Sequence, residues 1–270
     1  TPQSQRGADD IVKWSPAVYV GYQPLLSEQF YVRAYYKQVF RMPTFNDLYY
    51  TDVGNISLSP EQATQYDAGL EYTKSLVMSN AQLHHLSLHA KVDGYFNQIR
   101  DKIVAIPKGN SQYRWQMMNI GYVEIRGVDM NVGATFQFAH EWTFALQGTY
   151  TYQDAMDLTD PTNDLTYGGQ IAYIPHHSCS AIANISWQGW GLNYSFIYVG
   201  ERYHNSANIP ANYEPSWYTH DLSLSKLWHI KSSKLSTAIE INNLLNQQYD
   251  IILNYPMPGI NGRVVVKAYL

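Results

Sequence analysis

Apolar and polar residues alternate along this chain with a period of two. Across residues 30–40, Phe30, Val32, Ala34 and Tyr36 fall on one side of an extended segment, and Tyr31, Arg33, Tyr35 and Lys37 on the other. Successive strand side chains point to opposite sides, so this segment has one apolar face and one polar, charged face. Leu86, Leu88, Ala90, Val92 and Phe96 oppose Ser87, His89, Lys91, Asp93, Tyr95 and Asn97 in the same way. The pattern predicts about eleven strands, over 16–22, 28–40, 62–74, 84–104, 114–136, 142–154, 176–187, 191–203, 217–228, 235–245 and 260–270. Helical periodicity does not persist anywhere for long, and many strands exceed the usual five or six residues.

The connections alternate in length. Those at 23–27, 138–141, 188–190 and 229–234 are short and 75–83 is slightly longer; those at 41–61, 105–113, 155–175, 204–216 and 246–259 are the long ones. An outer-membrane up-and-down barrel has short periplasmic turns and long external loops. A soluble sandwich or propeller has no reason to sort its connections this way. Roughly nine to eleven residues suffice for a tilted strand to cross a bilayer, and the predicted lengths suit that. The expected fold class is therefore all-β: a transmembrane antiparallel up-and-down β-barrel. Its last strand runs inward, which places 246–259 outside, 229–234 in the periplasm, and residues 1–15 at the start of an external loop. An odd number of antiparallel strands cannot close with both ends on one side, and open edges inside lipid leave backbone groups unpaired. A partner segment is expected to supply the remaining strands.

Composition agrees. The 270 residues include 24 Tyr and 7 Trp, rings that interface girdles and ligand-facing loops use more than soluble domains do. An apolar content of 45% argues against disorder, and a net charge of −4 gives no basic surface for nucleic acid. No stretch approaches 18 consecutive apolar residues, so no transmembrane helix is expected. Cys179 stands alone, which excludes an internal disulfide and a cysteine-based metal site. The start at Thr1, with neither signal peptide nor initiator Met, reads as a mature or truncated piece.

Candidate chemistry is sparse. His84, His85 and His89 suggest haem or metal, but His84 points away from the other two and the stretch begins near a periplasmic turn. His176 and His177 diverge as strand neighbours. Met117, Met118, Met156 and Met257 suit soft copper ligation, and adaptable packing explains them as well. Asp154, His176 and Ser178 offer a hydrolase-like set that no motif frames. No catalytic residue, resident metal or cofactor is expected; an outer-membrane barrel enzyme and a passive porin are the alternative classes.

Motifs then point to a family. Arg41-Met42-Pro43-Thr44-Phe45-Asn46-Asp47-Leu48, followed by Gly54-Asn55, Leu58-Ser59-Pro60-Glu61 and Gly69-Leu70-Glu71-Tyr72, resembles the mid-barrel signature of TonB-dependent outer-membrane transporters. Asn119-Ile120-Gly121 with Gly127-Val128-Asp129 resembles their next segment. Asn242-Asn243-Leu244-Leu245 with Tyr249, then Pro258-Gly259, resembles their C-terminal signature. Two departures are the non-aromatic end at Leu270 and Asp47 where many relatives carry Glu. Physically the motifs read as scaffold. Pro60 fixes a turn, Glu61 accepts rim hydrogen bonds, and Asn242 and Asn243 suggest more of them. Gly121 and Gly127 suit bulges, because the apolar face moves from Val123 and Ile125 to Val128, Met130 and Val132.

The resemblance implies a 22-stranded barrel. Residues 1–270 would be its C-terminal half, the plug domain and N-terminal strands lying on a separate segment. It implies TonB-coupled import of a large metal chelate. The implied partners are the plug-bearing half, the TonB complex, outer-membrane lipid and the chelate, with a surface lipoprotein lid left open. Arg33, Lys37, His89, Lys91, Asp93, Arg263 and Lys267 would face the lumen, contacting the plug or lining a wet interior. Substrate capture would fall to external-loop residues: Tyr49, Tyr50, Arg114, Trp115, Met117, Met118, Tyr203, Tyr255 and Met257. Wide aromatic faces suit a planar or macrocyclic ligand. The run from Asp101 to Pro107 leading to Trp115-Gln116-Met117-Met118-Asn119, with Tyr255-Pro256-Met257-Pro258-Gly259, is most similar to the cobalamin-transporter branch of Bacteroidetes-type bacteria. Ferric siderophores and haem are the other family substrates in view.

Overall fold

The computed structural model describes residues 13–25, 29–51, 53–78, 82–107, 115–230 and 233–269. Eleven long strands form one antiparallel sheet in sequence order. They are β1 (Ala17–Leu25), β2 (Gln29–Arg41), β3 (Glu61–Val77), β4 (Leu83–Pro107), β5 (Trp115–Phe138), β6 (Thr143–Asp157), β7 (His177–Trp187), β8 (Trp190–Val199), β9 (Trp217–Ile230), β10 (Ser233–Asn242) and β11 (Asn261–Tyr269). Gly169–Gln170 adds a two-residue strand to the upper end of β6. Every expected strand is present, but several ends differ. The first, third, fourth and sixth run three residues further, to Leu25, Val77, Pro107 and Asp157, and two others stop short. The expected end positions 28, 114 and 270 lie outside the described residues. The strand expected over 191–203 stops at Val199, because Arg202–Tyr203 pair with Tyr213–Glu214 instead of with the wall. The one expected over 235–245 stops at Asn242, because Asn243 adopts a φ of 51°.

Register carries a single apolar face across the sheet. Val20, Ala34, Ala68, Gly94 and Val128 are direct neighbours from β1 to β5. Leu88, Ala134, Leu146, Ala183, Tyr194, Leu222 and Ile241 form a similar row from β4 to β10. Directly paired residues share a side, so these rows map one continuous surface. No other described residue covers it: Val20 is 62% exposed and Val264 70%. A soluble sheet would bury such a face, whereas lipid solvates it. Aromatic rings edge this belt. Toward the long loops Tyr36, Tyr66 and Phe96 pack in a row, with centroids 5.2 and 6.2 Å apart. Toward the short turns Trp142 stacks on Trp187 at 5.1 Å, and the Lys226 ammonium lies 4.8 Å over the Trp190 ring.

β4 and β5, of 25 and 24 residues, are more than twice what a bilayer needs, so they project beyond the belt. There the inner side becomes apolar. Val123 is fully buried among Ile125, Ile99, Ala63, Ala155 and Ile171, the last contributed by the 158–176 connection. This corrects the bulge expected at Gly127: β4 and β5 hold one register from Ile99↔Val123 to His85↔Gln137. Val123 and Ile125 are apolar because a loop covers them, not because the strand slips. Gly127 instead leaves room for the Tyr95 ring, whose hydroxyl occupies the space a Cβ would need. At Gly121 the ladder skips one rung opposite Asp101, which has a φ of 54°. Past that rung Ile120, Val104 and Ile106 join the same cluster as Val123, so their side chains are re-aimed without an inserted residue. Among the described residues β1 pairs only with β2 and β11 only with β10, leaving two open edges.

Candidate functional site

The first long connection is held down by the residues of its own motif. Arg41, at the end of β2, reaches Asp47 Oδ2 at 3.4 Å and Glu61 Oε2 at 3.2 Å. Asp47 also accepts from the Thr44 amide at 2.8 Å, while the Asp47 amide donates to Thr44 Oγ1 at 3.2 Å. This reciprocal capping starts the short helix α1 (Phe45–Tyr49). Glu61 Oε2 accepts from the Ile103 amide at 3.1 Å. Asn119 accepts from the Ser59 amide at 2.8 Å and donates to the Ser59 carbonyl at 3.0 Å. Asn55 donates to the Met117 carbonyl at 3.0 Å, and the Met117 amide donates to the Val53 carbonyl at 2.8 Å. The signature therefore ties a loop to the tops of β4 and β5.

Three further connections interlock. Arg202, 3% exposed, donates to the carbonyls of Pro215 at 3.3 Å, Asp250 at 2.7 Å and Ile251 at 3.2 Å. Burial lowers its guanidinium pKa, opposed by the nearby Glu214 carboxylate. The Tyr173 amide donates to the Tyr203 carbonyl at 2.7 Å, and the Tyr173 hydroxyl accepts from the Leu253 amide at 3.4 Å. Asn208 donates to the Gln170 carbonyl at 3.1 Å. Asn243, 4% exposed, caps the base of the last loop: its amide donates to Asp221 and its side chain to the carbonyls of Gln247 and Pro258. Neither Tyr173 nor the buried state of Arg202 is marked by periodicity or motif in the sequence.

The expected capture residues fall into three groups. Tyr49, Tyr50 and Tyr255 are open to solvent, at 58%, 62% and 67%. Tyr49 rests against Phe45, with centroids 4.9 Å apart. Trp115 packs on Tyr173 at 6.2 Å and Tyr203 edge-on to Tyr213 at 6.0 Å, so both act within the loop framework. Met117 and Met257 are half-buried and pinned by backbone bonds, the Met257 amide to the Tyr249 carbonyl at 3.0 Å; Met118 is exposed. Arg114 lies outside the described residues. Among the described residues no ring contact joins Tyr255 to Tyr49 or Tyr50.

On the opposite face from the apolar belt, Arg33 and Asp93 form a close ion pair, with Lys91 Nζ 3.1 Å from the other Asp93 oxygen. Lys37 shares this face, its ammonium 5.3 Å over the Tyr35 ring, and His89 Nδ1 is 3.4 Å from Thr73 Oγ1. Arg263 pairs with Glu240 Oε2 at 2.5 Å. Asp67 leaves one oxygen, Oδ1, buried without a partner. His85 meets Ser75 Oγ at 2.8 Å, so strand hydroxyls occupy both His85 and His89. His176 approaches Asp154 at 3.8 Å, but no hydrogen bond joins Ser178 to either among the described residues.

A continuous lipid-solvated belt, a polar inner face and interlocked loops on one rim define a membrane β-barrel wall crowned by long loops. The family model described as TonB dependent receptor-like, beta-barrel matches residues 2–244. The chain belongs to this family, whose members are outer-membrane transporters and not enzymes. It is 30% identical over 215 residues to the "Vitamin B12 transporter BtuB" of Photobacterium profundum. That match covers 78% of this chain and 30% of the relative, so the chain spans less than a third of the relative's length. Among solved structures, the siderophore receptor PirA from Acinetobacter baumannii superposes with a TM-score of 0.65 at 16% identity, covering 95% of this chain and 41% of that one. The copper transporter OprC superposes at 0.62 and 18% identity, covering 93% and 38%. At these identities the likeness establishes the fold alone.

Proposed function

We propose that this chain is the C-terminal half of the barrel of a TonB-dependent transporter that imports cobalamin or a related corrinoid. The observation that carries the substrate is the 30% identity, over 78% of the chain, to a vitamin B12 transporter. The open edges of β1 and β11 fit a wall that a second segment completes. That segment carries the plug and the site on which the TonB complex pulls. Tyr49, Tyr50 and Tyr255 meet the incoming ligand first, because their rings are exposed on the long-loop rim. Arg114, Trp115, Met117, Met118, Tyr203 and Met257 complete the capture surface. Arg33, Lys37, His89, Lys91 and Asp93 face the plug or the solvated path beside it. A surface lipoprotein lid over the loops is a further partner of this reading.

Equilibrium binding of cobalamin, haem and a ferric siderophore to the whole transporter tests the substrate. Saturable corrinoid binding, without haem or siderophore binding, supports the proposal. No corrinoid binding at micromolar concentration removes it.

A further inference from the structure

Tyr173 stands where the backbone favours glycine. The Ile174 amide donates to the Ile171 carbonyl at 3.2 Å, closing a turn whose third residue is Tyr173, with a φ of 62°. A positive φ at that position of a turn suits Gly or Asn, and a bulky side chain there is strained. The other non-glycine residues with positive φ among the described residues are Asn, Asp, Glu, Gln and His. The turn is held on both sides. Ile171 is buried in the cluster around Val123 and Ile174 packs against it, while the Gln170 side chain donates to the Ile174 carbonyl. Strain that persists in a fixed turn is offset by what the side chain reaches.

The Tyr173 side chain reaches other connections. Its ring packs on Trp115, the first residue of β5, with centroids 6.2 Å apart and planes tilted by 31°. Its hydroxyl accepts from the Leu253 amide at 3.4 Å. Leu253 lies in the tip of a small hairpin in which Asp250–Ile252 pairs with Tyr255–Pro256. That hairpin presents Tyr255, whose ring is open to solvent. Tying the last two long connections together does not need Tyr173, since Arg202 already spans them. Among the described residues Trp115 packs on no other ring. The contribution peculiar to Tyr173 is therefore the link between Trp115 and the hairpin of Tyr255.

We propose that Tyr173 is a positioning residue for substrate capture: it holds the Trp115 ring and the Tyr255 hairpin at one fixed separation, so that a ligand with a broad flat face meets both together. A surface whose parts are fixed in advance loses less entropy on binding than one that the ligand must assemble. The inference rests on the capture surface proposed above and assigns Tyr173 no contact with the ligand.

The test uses the whole transporter with Cys179→Ser, Met118→Cys and Ile251→Cys, spin-labelled at the last two positions, both exposed. Double electron–electron resonance without ligand is expected to give one narrow distance distribution. Tyr173→Gly, which suits the positive φ and keeps the turn, should broaden it. Tyr173→Phe, which keeps the Trp115 contact and loses only the acceptor for Leu253, should fall between. An equally narrow distribution in Tyr173→Gly would overturn the proposal. Equilibrium cobalamin binding to the unlabelled protein reads the consequence. Tyr173→Gly is expected to weaken binding by about tenfold with Trp115 present and hardly at all beside Trp115→Leu, because both changes remove one interaction. Effects that simply multiply would overturn it too. Heat-modifiable gel mobility verifies each fold; if Tyr173→Gly does not fold, Tyr173→Phe decides by the same two measurements. If the wild type binds no cobalamin, the corrinoid reading fails and the distance measurement decides this inference alone.

Discussion

Gly69 shows how a single residue sets the polar chemistry of the inner wall. A Cβ there would overlap the Asp93 carboxylate, which Arg33 and Lys91 hold across β2–β4. Gly69→Ala is therefore expected to displace Asp93 and cost about 1–3 kcal/mol of barrel stability. Gly148→Ala, whose added carbon would meet Val132 at an ordinary 3.5 Å, should be near neutral. The temperature at which gel mobility shifts, measured for both variants, checks the contrast; equal shifts would refute it. At this scale the sequence was half legible. The motif asparagines announced rim hydrogen bonds, and Asn243 makes them. Gly127 did not announce its purpose, since a bulge and a close aromatic neighbour leave the same glycine in the sequence.

At the scale of elements, the loops behave as a laced unit whose fastenings are buried. Arg202→Ala removes donors to three carbonyls on two connections and should weaken loop docking by about 2–4 kcal/mol. Arg202→Lys should rescue little, because an ammonium cannot reproduce the guanidinium fork. Faster proteinase K cleavage within 246–259, with unchanged barrel mobility, is the expected readout. The same loops carry a pH dependence. Burial raises the Tyr173 phenol above its ordinary 10.0, against a smaller opposite pull from the Leu253 amide, and burial raises Tyr249 as well. Both folded values exceed the unfolded one, so their stabilisation is complete below pH 10 and is lost as pH rises through the raised values. Protease protection of 246–259 should thus hold at neutral pH and fall in strongly alkaline buffer. The wall strands were legible from alternation alone. The helix α1 was not, since five residues are too few for helical periodicity, although Thr44 and Asp47 spell its cap.

For the whole molecule, the decisive property is that the apolar face looks outward. Leu70, 48% exposed and flanked in register by Val32 and Val92, lies within the belt. Leu70→Arg should cost about 2–4 kcal/mol when the transporter refolds into vesicles. An exposed site on a soluble sheet would tolerate the change, so an unaltered folding yield would contradict the lipid-facing assignment. The open edges lead to a further expectation: the 270 residues should purify from membranes together with a plug-bearing segment, and native mass spectrometry finding them folded alone would remove the half-barrel proposal.

Sequence by itself determined the wall: the number of strands, their two faces, the sorting of loops by length and the family. These are local properties, because a period of two is written in adjacent residues and needs no partner to be read. Tertiary structure decided what the wall holds together. Arg33 meets Asp93 across 60 residues, Arg202 meets Asp250 across 48, and Asn55 meets Met117 across 62. Register and loop packing set those meetings, and no local pattern records them. The inner core around Val123 has the same cause, since a distant loop made apolar residues favourable on a face that the strand below keeps polar.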